Sequence, residues 1–187
     1  MTDIREYPPS IETADLEIVS AILLPLKPKI IVEIGTFYGG SARYWIKSFT
    51  PDLFISIEQV DKPQFVKLEE GENYHYLYNS NSNSGEVVQK VIDILGGKKI
   101  DYLFIDGGHS FPVVTEDFRL YSQMVKESGI IGFHDIFSLH ESCQVRTLWE
   151  ELKKRYDFVE INCGLHSTGF GLIYYRSVPY IFKKYLL

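Results

Sequence analysis

The sequence predicts an α/β fold: an open, mostly parallel sheet with helices on both faces, finished by an antiparallel pair of strands. Three observations carry that expectation. Short β-branched runs alternate with helical segments about every 25 to 30 residues. Five of the runs end on, or run straight into, polar or ionisable residues. The last two runs, "DFVEINC" and "GFGLIYYR", have no helical segment between them and so lack the crossover that parallel neighbours require.

The elements follow in order. "SIETADLEIVSAILLPL" places Ile11, Leu16, Ile18, Val19, Ile22 and Leu23 at helical spacing, with Ser10 as a candidate N-cap and Pro25 as the stop. "KIIVEIG" is too short for a helix and is bounded by Pro28 and Gly35, so it reads as a buried strand. "GSARYWIKSF" is the helix after the turn and ends before Pro51. "LFISIE" is a second strand, "PQFVKLEE" a short helix and "YHYLY" a third strand. After the polar link "NSNSNSG", Ser84 can cap the helix "GEVVQKVIDIL", which Gly96 and Gly97 terminate. "IDYLFID" is the fourth strand, "FPVVTEDFRLYSQMVKES" a helix with Pro112 in its first turn, and "GIIGFHD" the fifth strand. "HESCQVRTLWEELKKRY" reads as helical before the closing pair.

A length of 187 residues suits one domain over 1–187, with residues 1–29 as a helical extension ahead of the first strand. The net charge of −6 argues against a nucleic-acid partner, which normally needs a basic face. Lys153, Lys154 and Arg155 form the best local basic patch, and it reads as the solvated end of a helix. Two cysteines, Cys143 and Cys163, cannot build a disulfide framework, and neither sits in a metal-type pair. The first ten residues lack a signal-peptide pattern. "IVSAILLPLKPKIIV" is too interrupted by Pro25, Lys27, Pro28 and Lys29 to span a bilayer. The expectation is a cytoplasmic protein with no membrane partner, and a homodimer is left open.

In such a sheet, ligands bind at the carboxyl ends of the strands. The loops to inspect begin at Glu33-Ile-Gly35, Glu58, Asn79 to Ser82, Asp106-Gly-Gly-His109 and His134-Asp135. The row Gly35-Thr-Phe-Tyr-Gly39-Gly40-Ser41 is not a dinucleotide fingerprint, because Phe37 stands where the second glycine belongs. No Gly-Lys-Ser/Thr follows, so it is not a P-loop either. The amides of a helix N-terminus attract an anion, and Glu33 supplies the opposite charge for an ammonium. Together they describe the two ends of an amino acid; the alternative is that Gly39 and Gly40 only turn the chain. Glu58 lies 23 positions beyond Gly35, where an acid can accept from both hydroxyls of a ribose.

"VEIGTFYGGSARYW", "SIE", "IDYLFIDGGHSFPVVTEDFRLY" and "GIIGFHDI" together resemble the class I S-adenosylmethionine-dependent methyltransferases. The closer likeness is to methyltransferase family 24 and the allied cephalosporin hydroxylase-like branch, from Ile30 to about Tyr175. The resemblance implies a Rossmann-like three-layer sandwich with seven strands in the order 3-2-1-4-5-7-6, only the seventh reversed. It implies a cofactor held by Glu33, Gly35 and Ser41 at the methionine end, Glu58 at the ribose and Asn81 and Ser82 near the adenine, with Thr36, Phe37, Tyr38, Gly39 and Asp106 also among its contacts. In related O-methyltransferases the acids ending strands four and five hold magnesium, and the matching residues are Asp106, His134 and Asp135. A histidine there suits a softer divalent ion, or none, since magnesium prefers oxygen.

The implied reaction needs alignment of an acceptor with an already activated methyl group, and a route for the acceptor's proton. His109, with an ordinary pKa near 6.5, is the candidate base beside Asp106, and a metal-free route through it is the expectation. Its alternative role is to fasten its loop by hydrogen bonds; His75, His140 and His166 are read as structural or exposed. The acceptor reads as a small molecule or glycan offering a sugar or phenolic hydroxyl. "NCGLHSTG" is the candidate acceptor-side loop, and Tyr38, Phe111 and Phe137 are candidates for an aromatic wall or for plain core. A dehydrogenase, or a cofactor-binding protein without transferase activity, are the competing classes.

Overall fold

The computed structural model describes residues 11–60, 72–164 and 167–175. The Ser10 cap, the "PQFVKLEE" helix and His166 lie outside the described residues. Helix α1 spans Thr13–Leu23 and buries Leu16, Val19 and Leu23 along one stripe. Pro25 does end it, but the chain continues through a 3₁₀ turn at Leu24–Leu26. Then follow β1 (Ile30–Ile34), α2 (Gly40–Phe49), β2 (Leu53–Ile57), β3 (Tyr74–Leu77), α3 (Gly85–Leu95) and β4 (Ile100–Ile105). The remainder is α4 (Phe111–Tyr121), β5 (Val125–His134), α5 (Val145–Leu152), β6 (Asp157–Ile161) and β7 (Phe170–Tyr174).

The sheet order is β3-β2-β1-β4-β5-β7-β6. Pairing is parallel from β3 to β5, and β7 runs antiparallel to both β5 and β6. Only the seventh strand is reversed, as expected. Alternation along each strand feeds two apolar layers. Val32, Ile55, Leu103 and Ile131 pack with Val91, Val114, Leu148 and Trp149 of α3, α4 and α5. Ile31, Phe54, Tyr102 and Phe104 pack with Leu16 and Val19 of α1 and Trp45 of α2. Trp45 sets its edge against Tyr102 and Phe104 at ring-centroid distances of 5.4 and 5.6 Å. Both faces are thus covered, which is what a parallel sheet needs.

The larger departures from the sequence expectation lie in two regions. The helix expected over "FPVVTEDFRLYSQMVKES" ends at Tyr121, and the strand expected from Gly129 begins at Val125. Val125 pairs with Ile100, and an irregularity then absorbs residues 126–129 before Ile130 meets Tyr102. Ser128 sits there at φ 65, and its amide bonds to the Tyr175 carbonyl at 3.1 Å. The second difference is α5, which starts at Val145 rather than near His140. Short-range polar bonds take the backbone first: Ser138 Oγ accepts from the His140 amide at 3.4 Å, and His140 Nδ1 from the Ser142 amide at 3.3 Å.

Candidate active site

The carboxyl ends of β1, β2, β4 and β5 open onto one cleft of about 560 Å³, a size suited to a small ligand. Gly35 makes its floor possible. It has φ +88, and a Cβ there would stand 2.0 Å from the Asp106 carbonyl oxygen. Only glycine lets the loops after β1 and β4 touch at this point. The turn closes by a bond from the Gly39 amide to the Thr36 carbonyl at 2.8 Å, and Gly39, at φ 82, caps α2. Phe37 is forced to φ 48, a conformation L-residues seldom adopt.

Glu58 is what holds Phe37 there. Its Oε2 accepts from the Phe37 amide at 2.6 Å and its Oε1 from the Val60 amide at 3.0 Å. The acid expected at a ribose thus also clasps the glycine loop to the end of β2, and each oxygen keeps a further lone pair for a ligand. Phe37 and Tyr38 line the cleft edge to edge, centroids 4.1 Å apart, and both are nearly half exposed. Phe111 and Phe137 do not line it; Phe137 packs against the core.

Glu33 departs from the expected placement. Strand alternation turns it to the α1–α2 face of the sheet, where it is fully buried and stands behind the cleft wall. Burial raises its pKa to about 8, with the charges of Asp106 and Glu58 adding to the rise. The Ser41 and Thr36 hydroxyls pull the other way, yet neither carboxylate oxygen completes a hydrogen bond. Thr36 spends its hydroxyl on Ser56. Glu33 is therefore neutral near pH 7, not the anion a bare sequence suggests. Gly39 also lies outside the lining, while Gly35, Thr36, Ser41, Asn81 and Ser82 are in it.

At the far end four ionisable groups converge. His134 Nδ1 lies 3.2 Å from Asp106 Oδ1 and 3.5 Å from Asp135 Oδ1. His109 Nε2 lies 2.9 Å from Asp135 Oδ2 and 3.9 Å from Asp106 Oδ1. Hydrogen bonds to Asp106 and Asp135 raise the His109 pKa to about 10, against the 6.5 of a free imidazole. Burial lowers that of His134, but the charge of Asp106 and its hydrogen bond outweigh this, so the net shift is upward. Burial also works against Asp135, yet His109 and His134 bring it down to about 2. Asp106, His134 and Asp135 can each offer one ligand atom, all within 4.8 Å of one another. Two carboxylates and an imidazole fit a borderline divalent ion better than magnesium.

Several contributors were not visible in the sequence. Gln144, just before α5, pins the His109 loop: its amide donates to the His109 carbonyl at 2.7 Å and its Oε1 accepts from the Phe111 amide at 2.9 Å. Thr168, in the "NCGLHSTG" loop, lines the cleft and lies 3.4 Å from His134 Nε2. Asp15 of α1, fully buried, ties that loop down by accepting from the Cys163 amide at 2.9 Å and from the Ser167 hydroxyl. No helix of the described residues is long and apolar enough to cross a membrane.

Comparison with known proteins gives this cleft its context. The chain is 30% identical over 155 residues to the uncharacterized protein R132 of Acanthamoeba polyphaga mimivirus, covering 74% of this chain and 69% of that one. A putative caffeoyl-CoA O-methyltransferase from Staphylococcus aureus superposes with a TM-score of 0.69 at 16% identity, covering 90% of this chain and 86% of that one. The O-methyltransferase TomG of Streptomyces achromogenes, in complex with SAM, gives 0.63 at 18% identity over 90% and 82%. At these identities the two structures speak for the fold alone. Residues 32–136, which carry the loops after β1, β2, β3, β4 and β5, match the family described as "Methyltransferase domain", and the chain belongs to that family.

Proposed function

We propose that the protein transfers a methyl group from S-adenosylmethionine to a hydroxyl group of a small acceptor, a sugar or a phenol. The observation that carries this is the layout of one cleft. A glycine turn at a helix N-terminus and an acid at the end of β2 sit at one side, and a carboxylate–histidine cluster at the other. The TomG neighbour, of the same fold, is described with SAM bound.

In this reading the methionine carboxylate meets the amides opening α2 near Gly40 and Ser41. Glu58 receives the ribose hydroxyls on the lone pairs its loop bonds leave open, and the base lies against Asn81 and Ser82. The methyl group then faces Asp106 and His109. The sulfonium is already an activated donor, so the chain's main task is to hold the acceptor oxygen in line with it. Phe37 and Tyr38 supply the apolar edge against which an acceptor ring can rest.

The acceptor must also lose a proton. With its pKa at about 10, His109 is an imidazolium near pH 7 and not the free base expected from the sequence; it is assigned to hold Asp106 and Asp135 in place, and the carboxylate of Asp106 to take the acceptor's proton. Asp106, His134 and Asp135 would hold a divalent ion, which when bound would lower the pKa of an acceptor hydroxyl. The three ligand atoms lie within 4.8 Å of one another, which supports a metal-assisted route beside the metal-free one. The direct test is mass spectrometry of a panel of sugars and phenols incubated with protein and S-adenosylmethionine. A product heavier by one methylene, absent without protein, is expected. No methylated product from any hydroxyl, with methylation appearing on amines or thiols instead, would contradict the acceptor class.

A further inference from the structure

The loop after β3 is held from beneath by one face of α4. Asp117 has no exposed surface, yet it is a carboxylate on the buried stripe of α4, between Val114 and Tyr121. Its Oδ1 accepts from Asn83 Nδ2 at 2.5 Å. One turn further on, Tyr121 donates its hydroxyl to the Ser82 carbonyl at 2.9 Å. The loop is also stapled to itself, since Asn81 Oδ1 accepts from the Asn83 amide at 3.0 Å and the Asn81 carbonyl from the Ser84 amide at 2.9 Å. What faces the cleft is the upper side of this same stretch, Ser80, Asn81 and Ser82.

The second oxygen of Asp117 is buried without a hydrogen-bond partner. It points toward the loop after β4, 3.7 Å from where a Cβ on Gly107 would stand, and Gly107 lines the cleft. Asp117 is therefore bonded to the Ser80–Ser82 wall through Asn83 and faces the Gly107 wall, with room for no more than a methyl group between them. Burial raises its pKa to about 6 while Ser82 and Asn83 hold it down. A buried carboxylate costs free energy that an apolar residue of similar size would not. A residue kept for stability alone would not be an aspartate here.

We propose that Asp117 is a positioning residue that sets the gap between these two walls and so fixes the slot for the cofactor's adenine ring. It touches neither cofactor nor acceptor; it acts through Asn83 and Ser82. The inference rests on the cofactor reading above and deepens it by naming what shapes the base pocket.

The test is calorimetric titration of the full chain with S-adenosylhomocysteine and, separately, adenosine, for the wild type, Asp117→Ala, Asp117→Asn and Asn83→Ala. Thermal melts run alongside. Asp117→Ala and Asn83→Ala should each weaken both ligands by roughly tenfold, the factor that one lost hydrogen bond corresponds to. The Asp117→Ala/Asn83→Ala double variant should be no weaker than either single one. Asp117→Asn keeps a carbonyl for Asn83 and should recover to within about threefold. A purely structural role would lower the melting temperature and leave the affinity of the folded protein unchanged, so affinities within twofold of wild type in both alanine variants overturn the inference. If Asp117→Ala does not fold, Asn83→Ala decides alone. A wild type that binds neither ligand overturns the cofactor reading itself, a separate outcome from wild type and variants binding equally.

Discussion

Replacing Glu33 by glutamine should make the protein more stable at pH 8 than the wild type, with little difference at pH 5. The carboxyl is buried beneath the glycine turn, and its pKa in the fold is about 8, against 4.5 for a glutamate in water. A carboxyl whose folded pKa is raised contributes stability that is fully present below the unfolded value and lost as pH rises through the folded one. Between pH 5 and 8 the unfolded chain has released this proton while the fold still holds it. At about 1.4 kcal/mol per pKa unit, the wild type loses roughly 3 to 4 kcal/mol over that interval from this group alone. The glutamine side chain does not titrate, so the difference between the two proteins isolates Glu33 from the histidines, whose contributions are common to both. For a chain of this length that difference corresponds to a divergence in melting temperature on the order of 10 °C. Urea unfolding of both proteins at pH 5, 6, 7 and 8 measures it. Stability curves that stay parallel across the range would refute the buried, neutral carboxyl.

Four other substitutions or treatments probe the site. Glu58→Ala removes the acceptors for the Phe37 and Val60 amides as well as those for a ribose, and should cost about 1.5–3 kcal/mol in S-adenosylhomocysteine binding by calorimetry; unchanged affinity would remove Glu58 from the ribose. Gly35→Ala drives a Cβ into the Asp106 carbonyl at an unfavourable φ, so a loss of about 3 kcal/mol or more in chemical unfolding is expected, and wild-type stability would contradict the close approach of the two loops. On an identified acceptor, Asp106→Asn should lower kcat by roughly 10²–10⁴. Exhaustive chelation should abolish turnover, and manganese or zinc should restore it better than magnesium; full activity in chelator would take the ion out of the reaction.

The parts of the site that lie at strand ends were legible because periodicity places strand ends. Gly35, Glu58, Asp106, His134 and Asp135 follow β-branched runs whose lengths are set by their glycine and proline boundaries. The reversed seventh strand followed from the missing crossover between β6 and β7. What stayed hidden depends on contacts across the chain. Asp117 meets Asn83 across 34 positions, Gln144 meets Phe111 across 33, and Asp15 meets Ser167 across 152. No local pattern encodes those meetings. That Glu33 lies in a buried strand was legible from "KIIVEIG"; that it stands behind the cleft wall was not, because the packing of α1 and α2 on its face is not written in the local pattern. The clasp of Glu58 on Phe37 depends on a positive φ at a phenylalanine, which residue type alone argues against.

The most direct measurement is a side-by-side equilibrium titration of the protein with S-adenosylhomocysteine and with NADH. A cofactor cleft built from the Gly35 turn and Glu58 predicts a micromolar-range Kd for S-adenosylhomocysteine, about −8 kcal/mol, and no comparable binding of NADH. The dinucleotide would have to bring its pyrophosphate against Phe37, where a dinucleotide site has a glycine. NADH binding more tightly than S-adenosylhomocysteine would contradict the account.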